Sequence, residues 1–496
     1  MKLKRLLKDI PSLQVKGYKD VALTGICSNS KLVSPGNLFV ARKGMTSDGA
    51  SYIPEAIRAG ASAVVTDLYD PTLKDVVQII HPDPSTIEAA LAAEYYQCPS
   101  DELFMVGITG TNGKTTTASI VKALLDQFHG PCGLIGTIEY IVGQHRYQAS
   151  RTTPDVVTNH KLLREMVSQG CRSAVMEVTS HALDQGRVDN IDFDVAIFSN
   201  LTLDHLDYHH TMEKYCEAKN RLFRQLGSQP RRHKSYPKVA LLNVDSPWID
   251  AISEGCQAPF LTYGIENPAD LQASHIRLGR HGTELDITYQ GKTLACHWPL
   301  VGRFNVYNAL AAMGVVLSRG FAFKDLVAKM EKIPSVKGRL EPVSNPLGLK
   351  IYVDFAHTDD ALTKVLETLT ELKQGRIITV FGCGGDRDKE KRPKMAAASE
   401  KYSDLTIVTL DNPRTEDPAA ICQAILKGFE RHESHIVELD RRLAIKRAIG
   451  MATENDIVLI AGKGHESYQI FAHQTIEFDD SKVASELCSQ LKTHNT

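Results

Sequence analysis

Gly107-Ile108-Thr109-Gly110-Thr111-Asn112-Gly113-Lys114-Thr115-Thr116-Thr117 is the stretch that decides the fold. It follows the apolar run Leu103-Phe104-Met105-Val106 and precedes a helical pattern through Ile120, Val121, Leu124 and Leu125. The order is strand, glycine loop, helix. In such a turn the backbone N–H groups and the helix N-terminus form an anion cradle. Lys114 is placed to reach the outer phosphates of a nucleotide, and the Thr115 hydroxyl to ligate Mg²⁺. The strict phosphate-loop spacing needs glycine five places before Gly113, where this chain has Ile108. The loop is therefore a variant, with a glycine every third residue. A plain glycine turn between strand and helix is the other reading; the Gly-Lys-Thr ending favours phosphate.

Outward from this loop, 496 residues imply about three domains. Hydrophobic residues make up 43% and charged residues 23%, ordinary for a globular chain with material for several cores. A net charge of −2 gives no basic field that would suit nucleic acid. Ten cysteines are scattered from Cys27 to Cys488 with no C-x-x-C pair, which fits a reduced, cytoplasmic setting better than a disulfide or zinc scaffold. The start, Met1-Lys2-Leu3-Lys4-Arg5-Leu6-Leu7-Lys8-Asp9, is basic but is followed by no apolar segment of the signal-peptide kind. No run of 18 apolar residues predicts a membrane span.

The first hundred residues read as strands at Val21 to Leu23 and Asn37 to Ala41, a helix from Tyr52 to Ala59 stopped by Gly60, and a strand from Ala61 to Thr66. A helix ending before Pro99 sets a boundary there. Apolar runs at 173–178, 195–198 and 239–242 alternate with helices, as in a parallel sheet covered on both faces. A β-rich excursion covers 271 to 300, and Pro334 and Gly338 mark a second boundary. Beyond it, strands at 351–354, 377–381, 405–409 and 457–460 carry Asp354, Gly382, Asp411 and Gly462 at their carboxyl ends. Ligands of open α/β sheets bind at that edge. The expected domains are 1–99, 100–333 and 334–496.

Glu177 closes an apolar strand, where a carboxylate suits Mg²⁺ or is merely a surface group. The stretch Ser199 to His210 is dense in Asp and His, readable as a zinc site, a second Mg²⁺ site, or a polar loop. Lys219 on the helix Met212 to Phe223 reads locally as a solvated lysine. Three loops follow strands at one sheet edge: Gly382 to Lys389 with Arg387, Asp411-Asn412-Pro413-Arg414, and Ala461 to Glu466. Together they suggest a pocket. Arg414 could clamp a ligand carboxylate there, or pair with Glu416 or Asp417 on the surface.

In order along nearly the whole chain, these motifs resemble the Mur ligase family of peptidoglycan amino-acid ligases. The matching segments are Gly110-Thr111-Asn112-Gly113-Lys114-Thr115-Thr116, Glu177-Val178-Thr179-Ser180-His181, Asn200 to His205, Ala218-Lys219, Gly302 to Ala309, Gly338-Arg339-Leu340-Glu341 and Asp354 to Thr358. Ser30, Asn37 to Ala41, Thr152-Thr153-Pro154 and the Gly-Gly-Asp-Arg-Asp loop are most similar to members that extend UDP-N-acetylmuramoyl-L-alanyl-D-glutamate by its third residue. Asp411 to Arg414 resembles the pattern of those that add meso-2,6-diaminopimelate rather than lysine. Asn29 and Lys31 beside Ser30, Arg151, and Asp359 depart from the usual residues.

The resemblance implies an α/β protein of three domains: an N-terminal α/β UDP-binding domain, a central P-loop-type ATPase domain with a mainly parallel sheet, and a C-terminal Rossmann-like domain. It implies ATP-dependent amide ligation through an acyl phosphate. ATP would contact Gly110 to Thr116, Asn308, Arg339 and Asp354. Thr115 and Glu177 would hold one Mg²⁺; His205 and Lys219, carbamylated by CO₂ to N6-carboxylysine, would hold a second. Ser30, Thr152, Thr153, Thr179, Gln185 and Arg187 would bind the UDP-muramoyl dipeptide. Arg387, Asp411, Asn412, Pro413, Arg414, Gly462 and Glu466 would bind diaminopimelate. The partners are small molecules only, and a monomer is expected. A folylpolyglutamate synthetase-like ligase, or one specific for lysine, is the alternative. A GTPase switch is disfavoured by the lack of an Asn-Lys-x-Asp motif.

Overall fold

Apolar runs that alternate with amphipathic helices fold here into parallel strands covered on both faces. The computed structural model describes residues 1–8, 10, 13–18, 20–43, 48–227, 237–279 and 282–494. Asp9 of the basic start, and residues 280 and 281 of the β-rich stretch, lie outside them. The chain forms two compact units, Met1–Gln272 with Tyr307–Leu326, and Ala273–Val306 with Val327–Thr496. Among the described residues no helix is long and apolar enough to cross a membrane.

The first unit contains two sheets. In the N-terminal one, Gly25–Cys27, Asn37–Val40, Ala63–Thr66 and Val77–Ile80 run parallel in that order, and Gln14–Lys16 closes the edge antiparallel. The expected strand at Val21 to Leu23 is not formed: Ala22 makes one isolated bridge with Lys2, and the strand begins three residues later. Alternate residues of the true strands serve two cores. Leu38, Val40, Ala63 and Val65 face one, Phe39 and Val64 the other.

The second sheet places Phe104–Thr109 between Val195–Phe198 and Ser173–Glu177, all parallel. Val239–Asn243 and Phe260–Gly264 extend one side, and Cys132–Ile135 the other. The first strand of this sheet in chain order is thus a middle strand, and the connections diverge from it to both sides. Register sets Ile108 opposite Glu177 and Thr109 opposite Phe198. The loops after these three strands therefore emerge at one level, beside a topological switch point.

The second unit holds an antiparallel hairpin, Gly282–Tyr289 with Lys292–Trp298, and a six-stranded sheet. Its order is Glu341–Pro342, Lys350–Asp354, Ile457–Ala461, Ile377–Phe381, Leu405–Val408 and His435–Val437, parallel after the first. Helices Asp359–Glu371, Lys391–Tyr402 and Pro418–Leu426 pack on one face, and Arg441–Met451 and Asp480–His494 on the other. Leu459 faces the first group while Val458 and Ile460 face the second, which is why these strands read as unbroken apolar runs.

Candidate active site

The strand carrying the glycine loop runs through Gly107 and Ile108 to Thr109, so the loop itself is only Gly110 to Gly113 and the helix starts at Lys114. The Ile108 departure from the usual spacing is thereby explained: that position is a buried strand residue, not part of the loop. Gly113 has φ +86°, and a Cβ there would lie 2.3 Å from Asn308 Oδ1. Asn308 in turn accepts from Thr117 Oγ1 at 3.2 Å, so the helix bearing Asn308 closes over the start of the loop helix. Lys114 Nζ donates to the carbonyls of Gly110 (2.8 Å) and Thr111 (2.9 Å), spanning the loop. Thr116 is buried in the first turn.

Residues at the end of the neighbouring strand hold the loop in shape. Asn200 accepts the Thr111 N–H on its carbonyl (2.8 Å) and the Asn112 N–H on Oδ1 (3.0 Å). Its amide and the Ser199 hydroxyl both donate to the Asn112 carbonyl, at 3.2 and 2.7 Å.

Glu177 is buried at the adjacent strand end. Its carboxylate accepts from Thr115 Oγ1 (3.0 Å), Thr137 Oγ1 (2.9 Å) and Thr137 N–H (2.8 Å). Hard oxygen donors gathered beside a phosphate loop suit Mg²⁺. Lys219 is not a solvated lysine. It is 1% exposed, its Nζ donates to Gly110 O at 3.0 Å, and it stands 4.5 Å over the Tyr215 ring. The apolar stripe Tyr215, Ala218, Leu222 and Phe223 turns this side of the helix inward and carries Lys219 with it. Burial, with Lys114 nearby, pushes its pKa well below the ordinary lysine value.

His205 has left-handed backbone, φ +54°, a sparsely populated state for a non-glycine residue. Its ring lies edge-on to His181 with centroids 5.0 Å apart, and burial lowers its pKa although Asp204 is 3.5 Å away. His209 is buried against Tyr215 with Nε2 2.9 Å from Ser180 Oγ. His205 and His209 both pack on the rings of His181 and Tyr215, yet among the described residues no group of three His, Cys, Asp or Glu side chains is placed to hold a metal as a zinc site requires.

Thr152, Thr153, Thr179, Gln185 and Arg187 come together. Thr152 Oγ1 meets Thr137 Oγ1 at 3.1 Å, and Thr153 Oγ1 donates to Glu177 O at 2.8 Å and lies 3.3 Å from Thr179 Oγ1. Arg187 donates to Thr153 O (3.1 Å) and Gln185 Oε1 (3.0 Å). Ser30 lines a cavity of about 1220 Å³ in the same unit, which also exposes Asn29, Lys31, Arg42, Tyr52, Arg151 and Lys161. Ser30 donates to Glu55 Oε2 at 2.7 Å. Several cations and few anions line this space, a setting for an anionic ligand.

The second unit assembles the remaining predicted residues at its sheet's carboxyl edge. Asp354 Oδ2 accepts from Leu340 N–H and Oδ1 from Ala356 N–H, both at 2.7 Å. Burial raises its pKa against the opposing charge of Arg339, whose guanidinium lies 5.0 Å over the Phe355 ring. Asp411 and Asn412 are buried, and Gly462, at φ +109°, would bring a Cβ within 2.9 Å of Asp411 Oδ2. Pro413 lies against Gly385, and Asn412 O accepts the Gly385 N–H at 2.9 Å, so the first two loops touch as well. Arg414 has φ +53° and donates to Gly385 O at 2.7 Å. It does not take the surface pairing with Glu416: that carboxylate accepts from buried Arg392 on both oxygens at 3.0 Å. Arg387 is exposed and donates to Asp386 O. Asn412 Nδ2 donates to Glu466 Oε2 at 2.8 Å.

Sequence models of the Mur ligase family, catalytic domain, match residues 22–96, those of the Mur ligase middle domain 108–316, and those of the Mur ligase glutamate ligase domain 338–464. The chain belongs to the Mur ligase family. It is 44% identical, over 99% of its length and 100% of the relative's, to the UDP-N-acetylmuramoyl-L-alanyl-D-glutamate--2,6-diaminopimelate ligase of Chlamydia trachomatis serovar D. A solved structure of a ligase of that name is similar with TM-score 0.72 and 31% identity, covering 99% of both chains. A MurF ligase from Thermotoga maritima, solved in complex with ADP, shares the fold at TM-score 0.61 and 19% identity, over 97% of this chain and 100% of that one. The three-domain, mainly parallel α/β architecture is that of the family.

In this Mur ligase several residues that shape the site were not singled out from sequence. Thr137 has no local signature; it reaches Glu177 only because the neighbouring strands align. Arg441 is a fully buried arginine bound to Asp480 through two bonds of 2.7 Å, and it also donates to Leu410 O and Ala461 O, each at 3.1 Å. It thereby ties together the strand ends that precede Asp411 and Gly462. An arginine on the apolar stripe of Ala444, Ile445 and Ala448 was the available signal.

Proposed function

We propose that this chain is an ATP-dependent amide ligase that joins meso-2,6-diaminopimelate to UDP-N-acetylmuramoyl-L-alanyl-D-glutamate in peptidoglycan synthesis. The full-length 44% identity to a ligase of that name carries the reading. The setting we infer is the cytoplasm, with the chain acting as a monomer on small molecules. In the first step a substrate carboxylate oxygen attacks the γ-phosphorus of ATP, an O–P bond forms, and ADP leaves. In the second the amine of diaminopimelate attacks the acyl carbon, a tetrahedral intermediate forms, and phosphate leaves with the C–O bond while the ammonium loses its proton. Acyl phosphate formation replaces an oxide leaving group with phosphate.

Positioning and charge compensation supply most of the catalysis in such a reaction. Lys114 would exchange the carbonyls of Gly110 and Thr111 for phosphate oxygens. Thr115 and Glu177 would hold one Mg²⁺, and His205 and carbamylated Lys219 a second. Bound Mg²⁺ offsets phosphate charge and polarises the bond being broken. The Lys219 environment supports the carbamate. A buried, neutral amine can attack CO₂, losing a proton, and the single N–H that remains can keep its bond to Gly110 O. Thr153, Thr179, Gln185 and Arg187 would orient the dipeptide, with the uridine part in the cavity at Ser30. Arg414 and Arg387 would face the carboxylates of diaminopimelate, and Asp411 and Glu466 its ammonium groups, with Asn412 holding Glu466 in place.

The test is ADP release together with product mass, using the UDP-muramoyl dipeptide with and without diaminopimelate. Release that requires both substrates, and a product heavier by one diaminopimelate residue, is expected. Release independent of the amino acid, or no new product, would overturn the reading.

A further inference from the structure

Lys463 stands between two residues of the proposed amino-acid site, and its side chain is fully buried. Its Nζ donates to Asn412 Oδ1 and to Glu466 Oε2, each at 3.1 Å, and lies 5.6 Å over the Tyr468 ring. A buried ammonium is costly unless paired, and a strand-end position could be filled by an apolar side chain of like volume. The bonds it makes orient its neighbours. Asn412 Oδ1 is shared by Lys463 Nζ and by the Ile470 N–H at 3.0 Å. With two donors on that oxygen, the amide can stand only one way, and its Nδ2 is directed at Glu466 Oε2. Glu466 therefore receives both side-chain donors on one oxygen. The other, Oε1, takes neither of these bonds, and the side chain is 20% exposed.

We propose that Lys463 is a positioning residue for the amino-acid substrate: it sets Asn412 and Glu466 so that the second oxygen of Glu466 meets an ammonium group of the incoming diamino acid. This rests on the ligase reading for the identity of that substrate. Removing the ammonium does not simply leave Glu466 a stronger anion. A half-buried carboxylate without its counter-charge loses one of the two donors that hold it and can turn to solvent, while Asn412 keeps only the Ile470 N–H on its Oδ1. The aligned acceptor is then lost.

The experiment is steady-state kinetics on full-length Lys463→Met, with each of the three substrates varied in turn. The KM for diaminopimelate is expected to rise roughly ten- to a hundredfold, the scale of one or two charge-assisted hydrogen bonds. The KM values for ATP and the UDP-muramoyl dipeptide, and kcat at saturating diaminopimelate, should stay within about threefold. Lys463→Gln retains a neutral donor and should recover part of the loss; it also carries the test if the Met variant does not fold. In a double-mutant cycle, Lys463→Met combined with Glu466→Gln should lose no more than Glu466→Gln alone, because the lysine acts through the carboxylate. An unchanged KM for diaminopimelate, a parallel rise of all three KM values, or additive losses would overturn the proposal. Failure of the wild type to use diaminopimelate would instead overturn the ligase reading itself.

Discussion

Replacing Asn200 by alanine isolates what holds the phosphate loop in its binding shape. The side chain accepts the Asn112 N–H at 3.0 Å and donates to the Asn112 carbonyl at 3.2 Å. That carbonyl keeps the Ser199 hydroxyl at 2.7 Å, and the Thr111 N–H keeps the Asn200 backbone carbonyl, so the loop loses one full bond and one shared one. At about 0.5–1.5 kcal/mol net for each bond, the loop conformation that binds phosphate is weakened by about 1–2 kcal/mol. Nucleotide affinity should then fall roughly five- to thirtyfold. Calorimetric titration of ATP into Asn200→Ala reads this directly. The KM for the UDP-muramoyl dipeptide, whose proposed cavity at Ser30 is distant in the chain, serves as control. Nucleotide affinity within twofold of wild type in a folded variant would refute the idea that Asn200 preorganises the loop.

Lys219→Ala should reduce ligation to near background while the helix persists, since alanine is the best helix former; added small carboxylic acids should restore part of the activity, and near-normal turnover without them would remove the carbamate. Arg414→Ala should raise the KM for diaminopimelate strongly and affect lysine little, because the two amino acids differ by the carboxylate that the guanidinium would meet; an unchanged ratio in side-by-side kinetics would end that assignment. Burial holds the His160 imidazole down at about 4, against about 6.5 for an unfolded histidine. Between those values the unfolded chain takes up a proton that the folded chain refuses, so stability present above about pH 6.5 is lost as pH falls. His160→Gln should therefore show a smaller drop in Tm between pH 7.5 and pH 5 than wild type, and an equal drop would show that His160 is not the source.

The strands and the glycine loop were legible because their signals are local: apolar runs bounded by glycine, and Gly-Lys-Thr at a strand–helix junction. Val21 to Leu23 misled because a short apolar triplet says nothing about whether a partner strand is present; Ala22 finds only one bridge, to Lys2. Lys219 misled in the opposite way. One lysine on a helix is usually solvated, and only its position on the stripe from Tyr215 to Phe223 reveals that it faces inward. Motif resemblance supplied its proposed role without that geometry. Ser199 and Asn200 were visible as polar residues after a strand, but that they hold the phosphate loop follows from register across two strands. Arg441 is a buried charge whose partner Asp480 lies 39 residues away, and Lys463, paired locally with Glu466, also reaches Asn412 51 residues back. Pairings at such separations leave no periodic trace in sequence.

The order of strands in the second unit has a consequence for how the chain is made. Ile457–Ala461 lies between Lys350–Asp354 and Ile377–Phe381 and pairs with both, although it is the last of the parallel strands to be synthesised. Growing from the ribosome at about 5–20 residues per second, the nascent chain holds the two outer strands without their shared neighbour for several seconds. Their apolar edges stay open for that interval, and Asp354 and Gly382 have no fixed spacing. Asp480, which locks Arg441, arrives later still. The proposed amino-acid site would therefore form in one late step, with the edges of the half-made sheet open until then.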